Sequence, residues 1–188
     1  MTIQVKVGDV TVTAMADFVP PPFPTSQFFP DVPEDSWKSY RRWLTPQGQF
    51  QTNFCFFALK TPSGIVLVDT GLGPGPHEMM GGGRGKLLEQ FQIKGFSLDQ
   101  VTAVIITHLH LDHMGWNVTM EDGKPRPTFP RAKYYLPKGD WDHFTKPENA
   151  AQNPAVSTSA LPLQDLGVLE LVEGDYAVTP EITTIATP

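Results

Sequence analysis

Apolar and polar residues alternate at the start of the chain. Ile3, Val5 and Val7, then Val10, Val12 and Ala14, are interleaved with Gln4, Lys6, Thr11 and Thr13 on either side of Gly8-Asp9. A period of two broken by a two-residue turn predicts a β-hairpin. Residues 51–59, apolar from Phe54 onward, and the apolar run 65–68 are joined by Thr61-Pro62-Ser63-Gly64, a turn by composition, and predict a second strand pair. Residues 101–106 are apolar and β-branched, too short for a helix, and read as a buried strand. Helical spacing appears in residues 34–44 (Trp37, Tyr40, Trp43, Leu44), 84–93 (Leu87, Leu88, Phe91) and 138–145 (Trp141, Phe144), with a shorter helix at 161–166. A hairpin over 118–128 and strands at 132–136, 168–172 and 182–186 complete the pattern, with 150–159 as loop. Strands and helices mixed in this way predict an α/β or α+β fold.

Composition narrows the picture. The 188 residues make one domain the default, spanning 1–188, and 40% hydrophobic content supports a sizeable core. A net charge of −6 argues against a nucleic-acid or anionic-membrane partner. The single cysteine, Cys55, excludes an internal disulfide and lies in a strand-like run, as expected of a buried inert thiol. No signal-peptide pattern opens the chain and no segment has the length of a membrane span, so the cytoplasm is the expected compartment. Nineteen prolines predict long structured loops. Residues 19–33 carry Phe23, Phe28 and Phe29 among their prolines. They read either as a linker or, because solvated linkers rarely carry three phenylalanines, as a loop packed near a cleft, with Phe28 as a candidate substrate contact.

The chemistry concentrates in His108-Leu109-His110-Leu111-Asp112-His113, which holds three of the five histidines. It follows the buried strand 101–106, where a loop can present side chains to a cleft. In extended backbone His108, His110 and Asp112 face one way, with His113 turned in as the chain bends. Imidazole and carboxylate are ligands for zinc and similar divalent metals; the competing reading is a histidine cluster in a loop without metal. Trp116 and Asn117 follow as candidates to line a cleft and orient a water or substrate oxygen, with packing as the alternative. The glycine-rich stretch 69–75 resembles a phosphate cradle only weakly, because no Gly-Lys-Ser/Thr follows. Asp140, Asp142 and His143 form a second cluster, whose carboxylates are expected to serve a helix dipole rather than a metal.

With Asp69-Thr70-Gly71 upstream, the His108–His113 motif resembles that of the metallo-β-lactamase-fold hydrolases. The resemblance implies an αββα sandwich and a dinuclear site. His108 and His110 are then ligands of a first metal, Asp112 and His113 of a second, and Asp69 fixes an imidazole by a hydrogen bond. Zinc, as a pair of ions in the complete protein, is the implied cofactor, with iron or manganese as alternatives. The implied activity is hydrolysis of a small ester, lactone or phosphoester by a metal-activated hydroxide that Asp112 also orients. The apolar segment before the Asp-Thr-Gly turn resembles the lactonase and organophosphate-hydrolase branch. The alternatives are an iron-dependent dioxygenase or other oxidoreductase of the same fold, and a non-catalytic module. The chain departs from the pattern at 186–188, where the resembled proteins continue into a Gly-His-Thr-Pro-Gly-His type of loop and further ligands. The expectation is therefore an amino-terminal portion, incomplete at the C-terminus. Alone it would be inactive or impaired, bind zinc weakly, and expose a sheet edge and an apolar face that favour aggregation or pairing with a second copy.

Overall fold

The computed structural model describes residues 3–187; Pro188, the last residue of the expected break, lies outside them. The first hairpin forms as β1 (Ile3–Val7) and β2 (Val10–Phe18), with Val7 opposite Val10. The proline-rich segment holds one helical turn, α1 (Thr25–Phe28). Residues Glu34–Trp43 wind as a 3-10 helix instead of the expected α-helix. Trp37, Tyr40 and Trp43 recur every three residues, and no residue of the segment is buried, so no core face imposes the 3.6 period. β3 (Phe54–Thr61) and β4 (Gly64–Val68) pair antiparallel, and α2 (Leu87–Ile93) buries Leu87 and Phe91.

A capping box of Ser97 and Gln100 opens the short turn before β5 (Val101–Ile105). Then come α3 (Leu111–Met114), the hairpin of β6 (Val118–Glu121) and β7 (Lys124–Pro127), β8 (Lys133–Pro137), α4 (Lys138–Phe144) and α5 (Pro147–Ala150). Residues Val156–Ala160, expected from the sequence as loop, form a π-helical turn whose Val156, Ser159 and Ala160 are buried, and it runs into α6 (Leu161–Asp165). β9 (Leu169–Val172) follows. The strand expected at 182–186 shortens to β11 (Thr183–Thr184), which pairs with β10 (Tyr176–Ala177) and stays outside the main sheet.

Seven strands form one mixed sheet in the order β1-β2-β3-β4-β5-β8-β9. The pairs from β1 to β4 are antiparallel, and those from β4 to β9 are parallel. The loops leaving β4 and β5 therefore emerge side by side at one sheet end, the place where open α/β sheets bind ligands. One face of the sheet carries Ala58, Leu67, Val104 and Tyr134 in register, all fully buried in the main core with Phe56, Phe91 and Leu163. Each large apolar side chain among them contributes about 2 to 3 kcal/mol through area removed from water. On the opposite face Val66, Ala103 and Ile105 are buried, with Val178 and Ile182 packed against them. Away from that patch the face is open: Ile3, Val5 and Val7 on the edge strand and Phe57 on β3 are exposed. The αββα arrangement has two large sheets; among the described residues one is formed, and the expected apolar surface and free strand edge are both present. Among the described residues no helix is long and apolar enough to cross a membrane.

Candidate metal centre

The motif leaves β5 through Ile106, which is buried. Leu109 is fully buried while His108 is half-buried and His110 exposed, so one apolar side chain anchors the loop between two outward imidazoles. The rings of His108 and His110 lie 4.7 Å apart, and those of His108 and His113 3.8 Å apart. Asp112 and His113 sit in α3, where the bend brings Asp112 Oδ2 within 3.4 Å of His113 Nε2. The structure thus draws the four residues into one cluster at the end of β5. Among the described residues no three His, Cys, Asp or Glu side chains are disposed to hold a single ion together. The donor set fits a divalent cation by its chemistry, as imidazoles and a carboxylate are ligands for such ions. Both nitrogens of His113 face carboxylates, and Thr107 Oγ1 lies 3.0 Å from His108 Nδ1.

Asp69, at the end of β4, has the left-handed φ of 60°, an uncommon conformation that Asp tolerates better than most residues. Its buried carboxylate accepts the Thr107 backbone N–H at 2.8 Å and the Thr107 hydroxyl, and meets His113 Nδ1 at 2.7 Å. Thr70 N–H donates to the His113 carbonyl, and Gly115 N–H to the Gly71 carbonyl. The Asp-Thr-Gly turn and the histidine motif are therefore one hydrogen-bonded unit.

Charge follows from these contacts. Burial pulls the His113 imidazolium down, but Asp112 and Asp69 outweigh it and lift its pKa to about 9. Burial, then His113 and His110, hold His108 below the ordinary histidine value. The hydrogen bond with His113 holds Asp112 below the usual carboxylate range. A histidine raised on folding contributes stability that is full below its unfolded pKa and lost as pH rises through the folded value. We expect the metal-free protein to lose on the order of 2 kcal/mol between about pH 6.5 and 9.5, after allowance for solvent screening. Urea midpoints across that range measure it; an equal loss in His113→Gln would show that another group is responsible.

Trp116 and Asn117, expected at a cleft, both turn inward. Trp116 is buried, and its indole N–H donates to Asp17 Oδ1 at 3.0 Å; Asn117 is fully buried, and its Oδ1 accepts the Thr70 hydroxyl at 2.9 Å. Asp17 is not among the residues that the sequence singles out. It lies on the core-facing row of β2 with Thr13 and Met15. Oδ1 accepts the N–H groups of Lys86, Leu87 and Trp116, and Oδ2 those of Leu72 and Gly73. Burial pushes this carboxyl up, against the pull of Leu72, Trp116, Leu87 and Gly73. Five donors fill the acceptor sites of an ionised carboxylate and leave no room for a proton. The glycine-rich loop therefore cradles an internal anion in place of a phosphate. A Cβ on Gly71, where φ is +68°, would stand 2.5 Å from that carboxylate. The sequence period gives no signal for it: Asp17 shares the phase of the polar Thr11 and Thr13, opposite Val12 and Ala14, yet the structure turns that row to the core.

The remaining candidates have other partners. Phe28 packs at tilted angles against Phe23, Phe29 and Phe50 in an aromatic cluster. Asp142 is paired with Lys138, and His143 packs edge-on to Phe144. Asp140 lies in the first turn of its helix, as expected, and also accepts the backbone N–H of Leu109. Burial, then the charge of Asp17, push the Cys55 thiol up, as befits an inert cysteine.

Comparison with known proteins bears on the family and the fold. The model of the metallo-beta-lactamase superfamily matches residues 47–180. The chain is 37% identical over 75 residues to transcription termination factor FttA of Methanothermobacter thermautotrophicus, a match covering 39% of this chain and 11% of that protein. Solved structures of similar architecture include a probable metal-dependent hydrolase from Staphylococcus aureus, with TM-score 0.74 and 16% identity over 95% of this chain and 64% of that one. The hydrolase AbOPH has TM-score 0.70 and 23% identity over 93% of this chain and 63% of its own. AidC, a dizinc quorum-quenching lactonase, has TM-score 0.64 and 20% identity over 92% and 61%. The chain spans a little under two thirds of the length of each of these solved chains. At such identities they speak for the fold, and the stretch matched by the family contains Asp69, the whole histidine motif and Asp140. The chain belongs to the metallo-beta-lactamase superfamily.

Proposed function

We propose that the complete protein is a metal-dependent hydrolase of small esters or lactones, with zinc as its metal. The observation that carries the reading is the cluster of His108, His110, Asp112 and His113 at the end of β5, tied through Asp69 to the end of β4. His108 and His110 would hold one ion, and Asp112 and His113 a second. A bound divalent cation supplies Lewis acidity and lowers the pKa of a coordinated water to near neutrality. Asp69 holds His113 through Nδ1, while Nε2 lies 3.4 Å from Asp112 Oδ2, the other proposed ligand of the second ion. Asp112, whose pKa the His113 hydrogen bond lowers, would orient the hydroxide and pass on a proton as well as serve as a ligand.

Superfamily membership and the hydrolases among the solved relatives support this choice, and the dizinc lactonase supports the metal and the substrate class. The match to a termination factor is short, and a net charge of −6 supplies no electrostatic footprint for nucleic acid. The test is metal analysis of the purified protein combined with turnover of 4-nitrophenyl acetate, an aliphatic γ-lactone and a 4-nitrophenyl phosphotriester. The expected result is ester or lactone hydrolysis that a chelator removes and zinc restores. Undiminished turnover after complete metal removal would sink the reading. Stoichiometric iron without hydrolysis would move it to a redox enzyme.

A further inference from the structure

The middle of the histidine motif is gripped from outside its own strand. β5 ends at Ile105, so the backbone of Leu109 has no ladder partner. Its N–H donates instead to Asp140 Oδ2 at 2.9 Å, and its carbonyl accepts from Asn153 Nδ2 at 2.8 Å. These two groups belong to the peptide planes on either side of Leu109, which lead to His108 and to His110. Fixing both planes fixes the directions in which the two imidazoles leave the backbone. Asp140 and Phe144 are four residues apart on α4 and share a helix face. The Phe144 ring meets His110 edge-on at 5.6 Å, so the same face holds both the backbone and one ring. α4 starts where β8 ends, and β8 neighbours β5 in the sheet, so the brace is as rigid as the sheet. We propose that Asp140 and Asn153 are positioning residues for His108 and His110, an inference that rests on the metal-site reading above.

The experiment uses the complete protein with Asp140→Ala, Asp140→Asn and Asn153→Ala. Zinc affinity is read by competition with a chromophoric chelator. Hydrogen exchange of the Leu109 amide is read in metal-free protein. Asp140→Ala is expected to weaken zinc binding about 10- to 100-fold, the range for groups that orient a ligand, and to speed Leu109 exchange about tenfold or more. Val104 exchange should stay unchanged. Asp140→Asn keeps an acceptor oxygen and should recover most of both effects. Leu163→Ala, a core truncation, should lower the melting temperature and leave zinc affinity alone. Parental zinc affinity and parental Leu109 exchange in Asp140→Ala would overturn the proposal, as would equal zinc loss in Leu163→Ala. If the parent takes up no zinc, the metal reading fails and the brace is judged on Leu109 exchange, where no change overturns it. If Asp140→Ala does not fold, Asn153→Ala is measured by the same two readouts: weakened zinc binding with faster Leu109 exchange supports the brace, and parental values of both overturn it.

Discussion

Replacing His110 by alanine is expected to reduce turnover by on the order of a thousandfold, about 4 kcal/mol of barrier at 1.36 kcal/mol per decade. The substitution removes an imidazole from a cluster in which the neighbouring ring of His108 lies 4.7 Å away. Lewis acidity is worth several kcal/mol to a hydrolytic transition state, and an ion held by fewer ligands is both rarer and less well placed. The fold should hardly notice, because His110 is exposed and the loop is anchored by buried Leu109. Surface changes of this kind usually lie within about 0.5 kcal/mol. Kinetics and a thermal melt on the same preparation check the contrast. Parental turnover in a variant that has lost its zinc would mean that the cluster is not the catalytic centre. Absence of turnover in the parent itself would leave a non-catalytic module as the better account.

Asp17→Ala should do the reverse, destabilising the protein severely without touching any candidate ligand. It strips the side-chain acceptor from five N–H donors contributed by Leu72, Gly73, Lys86, Leu87 and Trp116, of which Lys86 keeps the Asp17 backbone carbonyl at 2.9 Å. A buried donor left without a partner costs about 1 to 3 kcal/mol. Even with water entering the space, a total near roughly 5 kcal/mol is expected, comparable to the whole margin of many domains. Asp17→Asn keeps one oxygen but turns an NH₂ group toward two or three of the donors, so it should recover only part of the loss. Urea denaturation at neutral pH measures both. A melting temperature for Asp17→Ala within a few degrees of the parent would show that the donors are satisfied in some other way. The network joins β2, the glycine-rich loop, the start of α2 and Trp116, so its loss should also loosen the Asp-Thr-Gly turn under His113.

The two residues show how unevenly the molecule is written along its chain. The His108–His113 cluster is legible because its signal is local: six consecutive residues after a buried strand, in an order that a strand end and one helical turn bring together. The strands were legible for the same reason, since a period of two and the lengths of apolar runs are properties of neighbours in sequence. β1, β2, β4, β5, β8 and β9 appear within a residue or two of their expected start positions, although β2 runs three residues further. The role of Asp17 depends on donors 55 to 99 residues away, and no local pattern names them. The inward turn of Trp116, the burial of Asn117 against Thr70 and the reach of Asp140 to Leu109 are likewise settled by partners distant in sequence. So is the shortening of the last strand, which finds β10 as its neighbour instead of the main sheet. Local order sets which side chains carry the chemistry and where strands begin. Which carboxylate becomes a structural anion, and which braces the ligands, follows from packing, because a buried polar group takes its function from whatever donors the fold sets against it.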